Sequence, residues 1–167
     1  RDRILLPYVS SIDPDGFGLR WQPNQSKLAL ASGQLTGTGL YHGPQSQSSA
    51  LTGKHTDFIF AVIGEELGMI GCCVVLLLLL LIIIRCVYIG LHSKNTMSML
   101  VCFGVASTIL FQTFENAGMC IGITPVIGIT LPFFSYGGSS MFSLMAAMGL
   151  VSGIRYRPKP ERYRRYG

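Results

Sequence analysis

Between Phe58 and Ile154 the chain reads as three long apolar stretches separated by polar or glycine- and proline-rich breaks. Leu67 to Ile84 is a run of 18 residues without a charge, enough to cross the hydrocarbon core of a bilayer. It predicts a first span from about Phe58 to Leu91, long, tilted or kinked near the glycines of Gly64–Gly71. A second span is expected over about Thr96–Gly118, with nothing ionisable before Glu115, and a third over about Gly138–Ile154. Upstream, Asp13-Pro14-Asp15-Gly16 is a turn signal. Gly33, Gly37, Gly39 and Gly43 then break the middle of that segment, and a short helix lying at the interface is expected between Gln25 and Ser32. The fold class is therefore all-α. It is a polytopic membrane helix bundle of three spans, preceded by a long loop carrying short interfacial helices.

Lysine and arginine placement sets the topology. Arg85 and Lys94 flank the first inter-span loop, while Arg155, Arg157, Lys159, Arg162, Arg164 and Arg165 crowd the tail. The loop between the second and third spans carries none. Residues 1–56 then form an extracytoplasmic loop, 57–155 the three spans with an outer, re-entrant-like loop at 124–139, and 156–167 a basic cytoplasmic tail. The five basic residues before Asp57 do not overturn this, because long translocated segments largely escape the charge bias. A basic tail with interleaved tyrosines directly after a span points to anionic membrane lipids rather than nucleic acid.

With 49% apolar and 13% charged residues, the composition matches a membrane protein. The chain opens on Arg1 and shows no leader, which suggests the C-terminal piece of a longer multi-span protein. Its five cysteines fall in or beside the spans at no metal or haem spacing, and read as small packing residues.

Four of the eight carboxylates lie in or beside the apolar regions: Asp57, Glu65, Glu66 and Glu115. Ionisable groups there are costly and need a reason. For Asp57 the modest reason is capping, since Thr56 or Asp57 would serve as N-cap of the first span. Glu65 and Glu66 stand two turns further on, on the order of 12 Å along a helix axis, too far to pair with Asp57 unless the helix breaks between them. They, with Glu115, are expected to hold polar groups inside the bundle. No dinucleotide fingerprint or P-loop is present, and His42, His55 and His92 do not cluster. Three Gly-x-x-x-Gly pairs, Gly64/Gly68, Gly118/Gly122 and Gly149/Gly153, suit close helix packing. Thr124–Ser140 (TPVIGITLPFFSYGGSS) is apolar yet cannot stay helical. At membrane depth such backbone survives only when buried in protein or lining a cavity. Either an outer cavity shared with the Asp57 region or an ordinary inter-span loop would account for it.

Three blocks, taken together, carry a resemblance. They are Gln25-Ser26-Lys27 with the glycine-rich run to Gly43-Pro44-Gln45-Ser46-Gln47, then HTDFIFAVIGEELGMIG, then PVIGITLPFFSYGGSS. In order and spacing they resemble the C-terminal part of the SEDS family, the shape, elongation, division and sporulation proteins that include RodA, FtsW and SpoVE. The first block looks more like the elongation branch, that of RodA. One departure is that relatives often carry Pro-Glu shortly before His-Thr-Asp, where this chain has Thr52-Gly53.

The resemblance implies a peptidoglycan glycosyltransferase of the bacterial cytoplasmic membrane. Such an enzyme polymerises glycan strands from lipid II at the outer face, with inversion and release of undecaprenyl diphosphate. It implies that Asp57 is the essential aspartate, acting as base or holding a divalent cation such as Mg or Mn. Substrate contacts are expected at Gln25, Ser26, Lys27, Gln45, Lys54, His55 and Thr56, and at Ser135, Tyr136, Gly137, Gly138, Ser139 and Ser140. A single-span class B penicillin-binding transpeptidase is the implied partner. A lipid II flippase or a non-catalytic scaffold for wall enzymes are the competing classes. Special residues gathered at one face favour chemistry over transport.

Overall fold

The structure is a computed structural model that describes residues 21–47, 56–93 and 95–156. Among these residues five helices follow one another: α1 (Trp21–Gly33), α2 (Pro44–Gln47), α3 (Ile59–Leu91), α4 (Thr96–Ile121) and α5 (Gly138–Tyr156). Among the described residues there are no strands. The antiparallel α3–α4 pair is the principal contact, α1 lies across the end where α3 begins and α4 finishes, and α5 packs on the side.

By length and composition, α3 and α4 are fit to cross a membrane. Only 22% and 17% of their most apolar windows are buried inside the protein, so most of that surface is left for lipid or further helices. α5 has 19 residues and is less apolar, with Leu144 and Val151 its buried side chains.

α3 does not run straight through its 33 residues, which would span about 50 Å at 1.5 Å per residue. It breaks at Gly68, whose φ of 70° and ψ of −170° lie in a region open essentially to glycine alone. A break at membrane depth orphans the two helical bonds that would join Met69 to Glu65 and Ile70 to Glu66. The turn after α1 replaces both. The Met69 and Ile70 N–H groups donate to the carbonyls of Gln34 (3.0 Å) and Leu35 (3.3 Å). The Glu65 carbonyl accepts from the Thr38 N–H (2.9 Å) and hydroxyl (3.0 Å), and the Glu66 carbonyl accepts from the Gly39 N–H (3.1 Å). Gly37 has to be a glycine here, since a Cβ would run into the Glu66 carbonyl.

α1 is longer than the helix expected at Gln25–Ser32, and it docks on the start of α3 and the end of α4. Its buried face is Gln25, Ser26, Ala29 and Gly33, small enough for backbones to meet. A Cβ on Gly33 would strike the Gly64 carbonyl, while Gly64 itself lies under Leu30. The Gly64/Gly68 pair thus seats α1 and the turn that follows it. Gly118 faces Thr124 of its own loop, Gly122 faces Lys27, and nothing described lies within 4 Å of Gly149 or Gly153.

Glu65 is wholly buried. Its two carboxylate oxygens accept the backbone N–H groups of Gln45 and Ser46, both at 2.7 Å, at the start of α2. Charge-assisted bonds of this length are among the stronger ones. Ser46 adds a hydroxyl bond to Glu66 Oε1 at 3.1 Å, so the two glutamates together hold the Gly43–Gln47 segment against α3.

Gly68→Ala is expected to destabilise the full-length protein by about 1–3 kcal/mol from backbone strain alone, read as a lower unfolding midpoint in detergent. Glu65→Gln leaves one acceptor where two amides need serving, at a cost of about 1–3 kcal/mol. It is expected to lower the midpoint too and to speed proteolysis between Leu40 and Gln47.

Candidate functional site

Asp57 lies in the turn Thr56–Phe58 that leads into α3. The expectation that Thr56 or Asp57 caps the helix is not met. Phe58 occupies the N-cap with no side-chain cap bond, so the Asp57 carboxylate is not consumed by the helix end. That carboxylate is half-buried, and no group among the described residues donates a hydrogen bond to it. Its Oδ2 faces Gly128, where a Cβ would stand only 3.2 Å away. With a φ of 79°, Gly128 is held in a left-handed turn that presents bare backbone to the acid.

The backbone around Asp57 is tied on both sides. Ser135 donates its hydroxyl to the Thr56 carbonyl at 2.7 Å and accepts the Leu131 N–H at 2.7 Å. Asn116 donates one amide proton to the Asp57 carbonyl at 2.8 Å and the other to the Ile129 carbonyl at 2.7 Å. The Thr124–Ser140 loop is therefore stitched to the Asp57 turn rather than looping freely between spans. Sequence reasoning did not single out Asn116. The available signal was an amide side chain inside an apolar helix, where a buried polar group needs partners.

Three residues expected at the substrate, Gln25, Ser26 and Ser135, are buried in the fold. Ser135 is buried, with its hydroxyl engaged as above. Ser26 is fully buried and donates to the Cys120 carbonyl at 2.8 Å, fastening α1 to α4. Gln25 is buried beside it, and Gln45 contributes its backbone to Glu65. Lys27 is exposed, and its ammonium lies against Gly122, the left-handed C-cap of α4. A cation is favoured there by the negative end of the helix. Lys27 and Asp57 thus stand at the two ends of the Gly122–Gly128 segment, with opposite charges. Tyr136 is 84% exposed, while Gly137 and Ser140 close the first turn of α5 through a hydroxyl-to-carbonyl bond of 2.9 Å. Ser139 accepts the Ser143 hydroxyl, and Gly138 has open space around it. Lys54 and His55 lie outside the described residues. Glu115 is buried in α4 with Oε1 unpaired among the described residues. A cleft of about 370 Å³ opens elsewhere, between Gly104, Thr108 and Gln112 of α4 and Ser140, Ser143 and Ala147 of α5.

Among the described residues, the arrangement supplies one carboxylate without a hydrogen-bond donor on a fixed backbone, a cation at the far end of the same segment, and no second acid beside it. Such a site fits proton abstraction from a hydroxyl, or ligation of a cation, better than paired-carboxylate hydrolysis.

Comparisons with known proteins identify the family. The model of the FtsW, RodA and SpoVE cell cycle proteins matches residues 3–159. The chain is 41% identical over 159 residues to the peptidoglycan glycosyltransferase MrdB of Escherichia coli, covering 95% of this chain and 42% of that protein. Against the peptidoglycan glycosyltransferase RodA of Treponema pallidum it is 37% identical over 162 residues, covering 93% and 37%. Among solved structures, it is similar to an aspartate-to-alanine mutant of the Thermus thermophilus rod shape determining protein RodA. That match has a TM-score of 0.60 and 28% identity, covering 93% of this chain and 56% of the other. A peptidoglycan synthase complex, described as coordinating polymerization and crosslinking, matches with a TM-score of 0.68 and 30% identity over 93% of this chain and 41% of the other. The chain thus spans about two-fifths of the length of curated relatives such as MrdB. A family match over nearly the whole chain, joined to the same helical membrane fold, makes this protein a member of the FtsW, RodA and SpoVE family of cell cycle proteins, the SEDS family.

Proposed function

We propose that this chain supplies the reacting carboxylate of a peptidoglycan glycan-strand polymerase, working on lipid II at the outer face of the bacterial cytoplasmic membrane. The observation that carries the reading is Asp57 itself: a half-buried acid, free of hydrogen-bond donors among the described residues, on a turn whose carbonyls are held by Ser135 and Asn116. The glycosyltransferase names of MrdB and RodA support it.

In this reading a sugar hydroxyl of one lipid II attacks the anomeric carbon of another. The new glycosidic bond forms as the bond to the lipid diphosphate breaks, with inversion, and Asp57 takes the hydroxyl proton. The diphosphate leaves as an anion, so it needs positive charge and no second acid. Lys27 and Lys54 are the side chains proposed to supply it. Among the described residues no group of three His, Cys, Asp or Glu stands ready to cage a metal. In the alternative role of Asp57, its carboxylate would hold a divalent cation such as Mg or Mn instead of taking the proton. Such an ion would neutralise charge developing on the leaving group.

Charge placement supports a topology with residues 1–56, Asp57 and the 124–139 loop outside, and with the Arg85–Lys94 turn and the basic tail inside. The tail meets anionic lipid there. The synthase complex that this fold resembles couples polymerization to crosslinking, which supports a single-span class B penicillin-binding transpeptidase as partner. The first sequence block supports service in elongation.

Full-length protein incubated with lipid II is expected to yield glycan ladders on a gel, and Asp57→Asn to slow them about 100- to 10,000-fold. Unchanged ladders from Asp57→Asn would sink the proposal, and lipid transfer across vesicles without ladders would point to a flippase. EDTA is expected to stop polymerisation and added Mg or Mn to restore it. Ladders that persist in EDTA assign the leaving-group charge to the lysines.

A further inference from the structure

Asp57 is flanked by two peptide planes, and each is held by a side chain from elsewhere in the chain. The plane before it is held through the Thr56 carbonyl by Ser135, and the plane after it through the Asp57 carbonyl by Asn116. With both planes pinned, only the two side-chain torsions of Asp57 remain to set the carboxylate. Asn116 does more than complete this clamp, because its second amide proton goes to Ile129, the neighbour of Gly128. Gly128 is the residue whose backbone faces Oδ2. One side chain therefore fixes the reacting residue and the surface that the acid lies against, in a single rigid amide.

We infer that Asn116 is a positioning residue for Asp57, holding the carboxylate at a set distance from the Gly128 backbone. The inference rests on the reading of Asp57 as the base. A purely structural role fits the position less well. Asn116 is fully buried in α4, and its Oδ1 has no partner among the described residues. An aliphatic side chain would fill the same volume without burying an orphan acceptor. What an aliphatic residue lacks is two donors at a fixed angle, which is what the two carbonyls use.

The test uses full-length protein and lipid II, with steady-state rates for Asn116→Ala, Asn116→Ser, Asp57→Asn, the Asn116→Ala/Asp57→Asn double variant, and Thr113→Val. Thr113→Val removes another buried side-chain bond of the same helix, the 2.7 Å bond from the Thr113 hydroxyl to the Ile109 carbonyl, and touches nothing at the site. Asn116→Ala is expected to lower kcat about 100-fold with KM unchanged, the scale of a misplacement near 1 Å. Asn116→Ser keeps one donor and is expected to recover part of that loss. Thr113→Val should keep the parental kcat. In the Asp57→Asn background the Asn116 change should cost little more, since no base remains to be aimed.

Parental kcat in the Asn116 variants overturns the inference. So does a loss that falls on KM, that Thr113→Val reproduces, or that adds in full to Asp57→Asn. If Asn116→Ala does not fold, Asn116→Ser carries the same comparison. An active Asp57→Asn enzyme removes the base reading itself, an outcome distinct from an Asp57-dependent enzyme indifferent to Asn116.

Discussion

The hydrogen bonds that repair α3 at Gly68 are the constraint on which the Asp57 end of this molecule depends. A helix broken at membrane depth leaves polar backbone with no water to satisfy it. Here the chain returns another part of itself, residues 34–39, to make the bonds the break removed. The repair fixes three things together: the tilt available to the part of α3 before Gly68, the seat of α1 on Gly64, and the approach of the α2 segment to Glu65. It also explains the glycines at 33, 37 and 68, each a place where a Cβ would strike another segment's backbone, and at 64, where it would strike the Leu30 side chain.

The same constraint governs the second irregular segment, between α4 and α5, where side chains provide the answer. Thr124 returns a hydroxyl to the Glu115 carbonyl, Ser135 serves Thr56 and Leu131, and Asn116 serves Asp57 and Ile129. Three of these reach beyond their own loop. Satisfying the backbone and immobilising the acid are therefore one arrangement, and Asp57 gains rigidity from bonds that the fold needs in any case. A site built this way holds its geometry before substrate arrives, the condition under which positioning contributes most to rate.

The position of charge follows from that scaffold. Glu65 and Glu66 lie in α3, just beyond the turn that carries Asp57, yet their carboxylates are engaged by amides and a hydroxyl of the α2 segment. Asp57 has no such partner among the described residues. Three acids close in sequence thus divide into two that build and one that remains available, a division made by which donors reach them.

Much of the outline was legible in the residues. Uncharged length marked the spans, glycines between Gly64 and Gly71 marked the kink, and prolines with glycines in 124–140 ruled out a helix. These are local properties, carried by hydrophobicity and by the torsions that glycine and proline permit or forbid. Lengths and boundaries near α1 were less legible, because its buried face is made of small residues whose pattern carries little hydrophobic signal. Ser26 and Ser135 looked like residues offered to substrate, and the fold turned both inward. Asn116 passed unnoticed, because its two acceptors lie 59 and 13 positions away in the chain. Composition and periodicity alone settled that the chain is helical, apolar and equipped with one conspicuous aspartate. Which polar groups find each other, and hence which acid stays free, was decided only by tertiary packing, because a hydrogen bond between distant residues leaves no trace in the order of either.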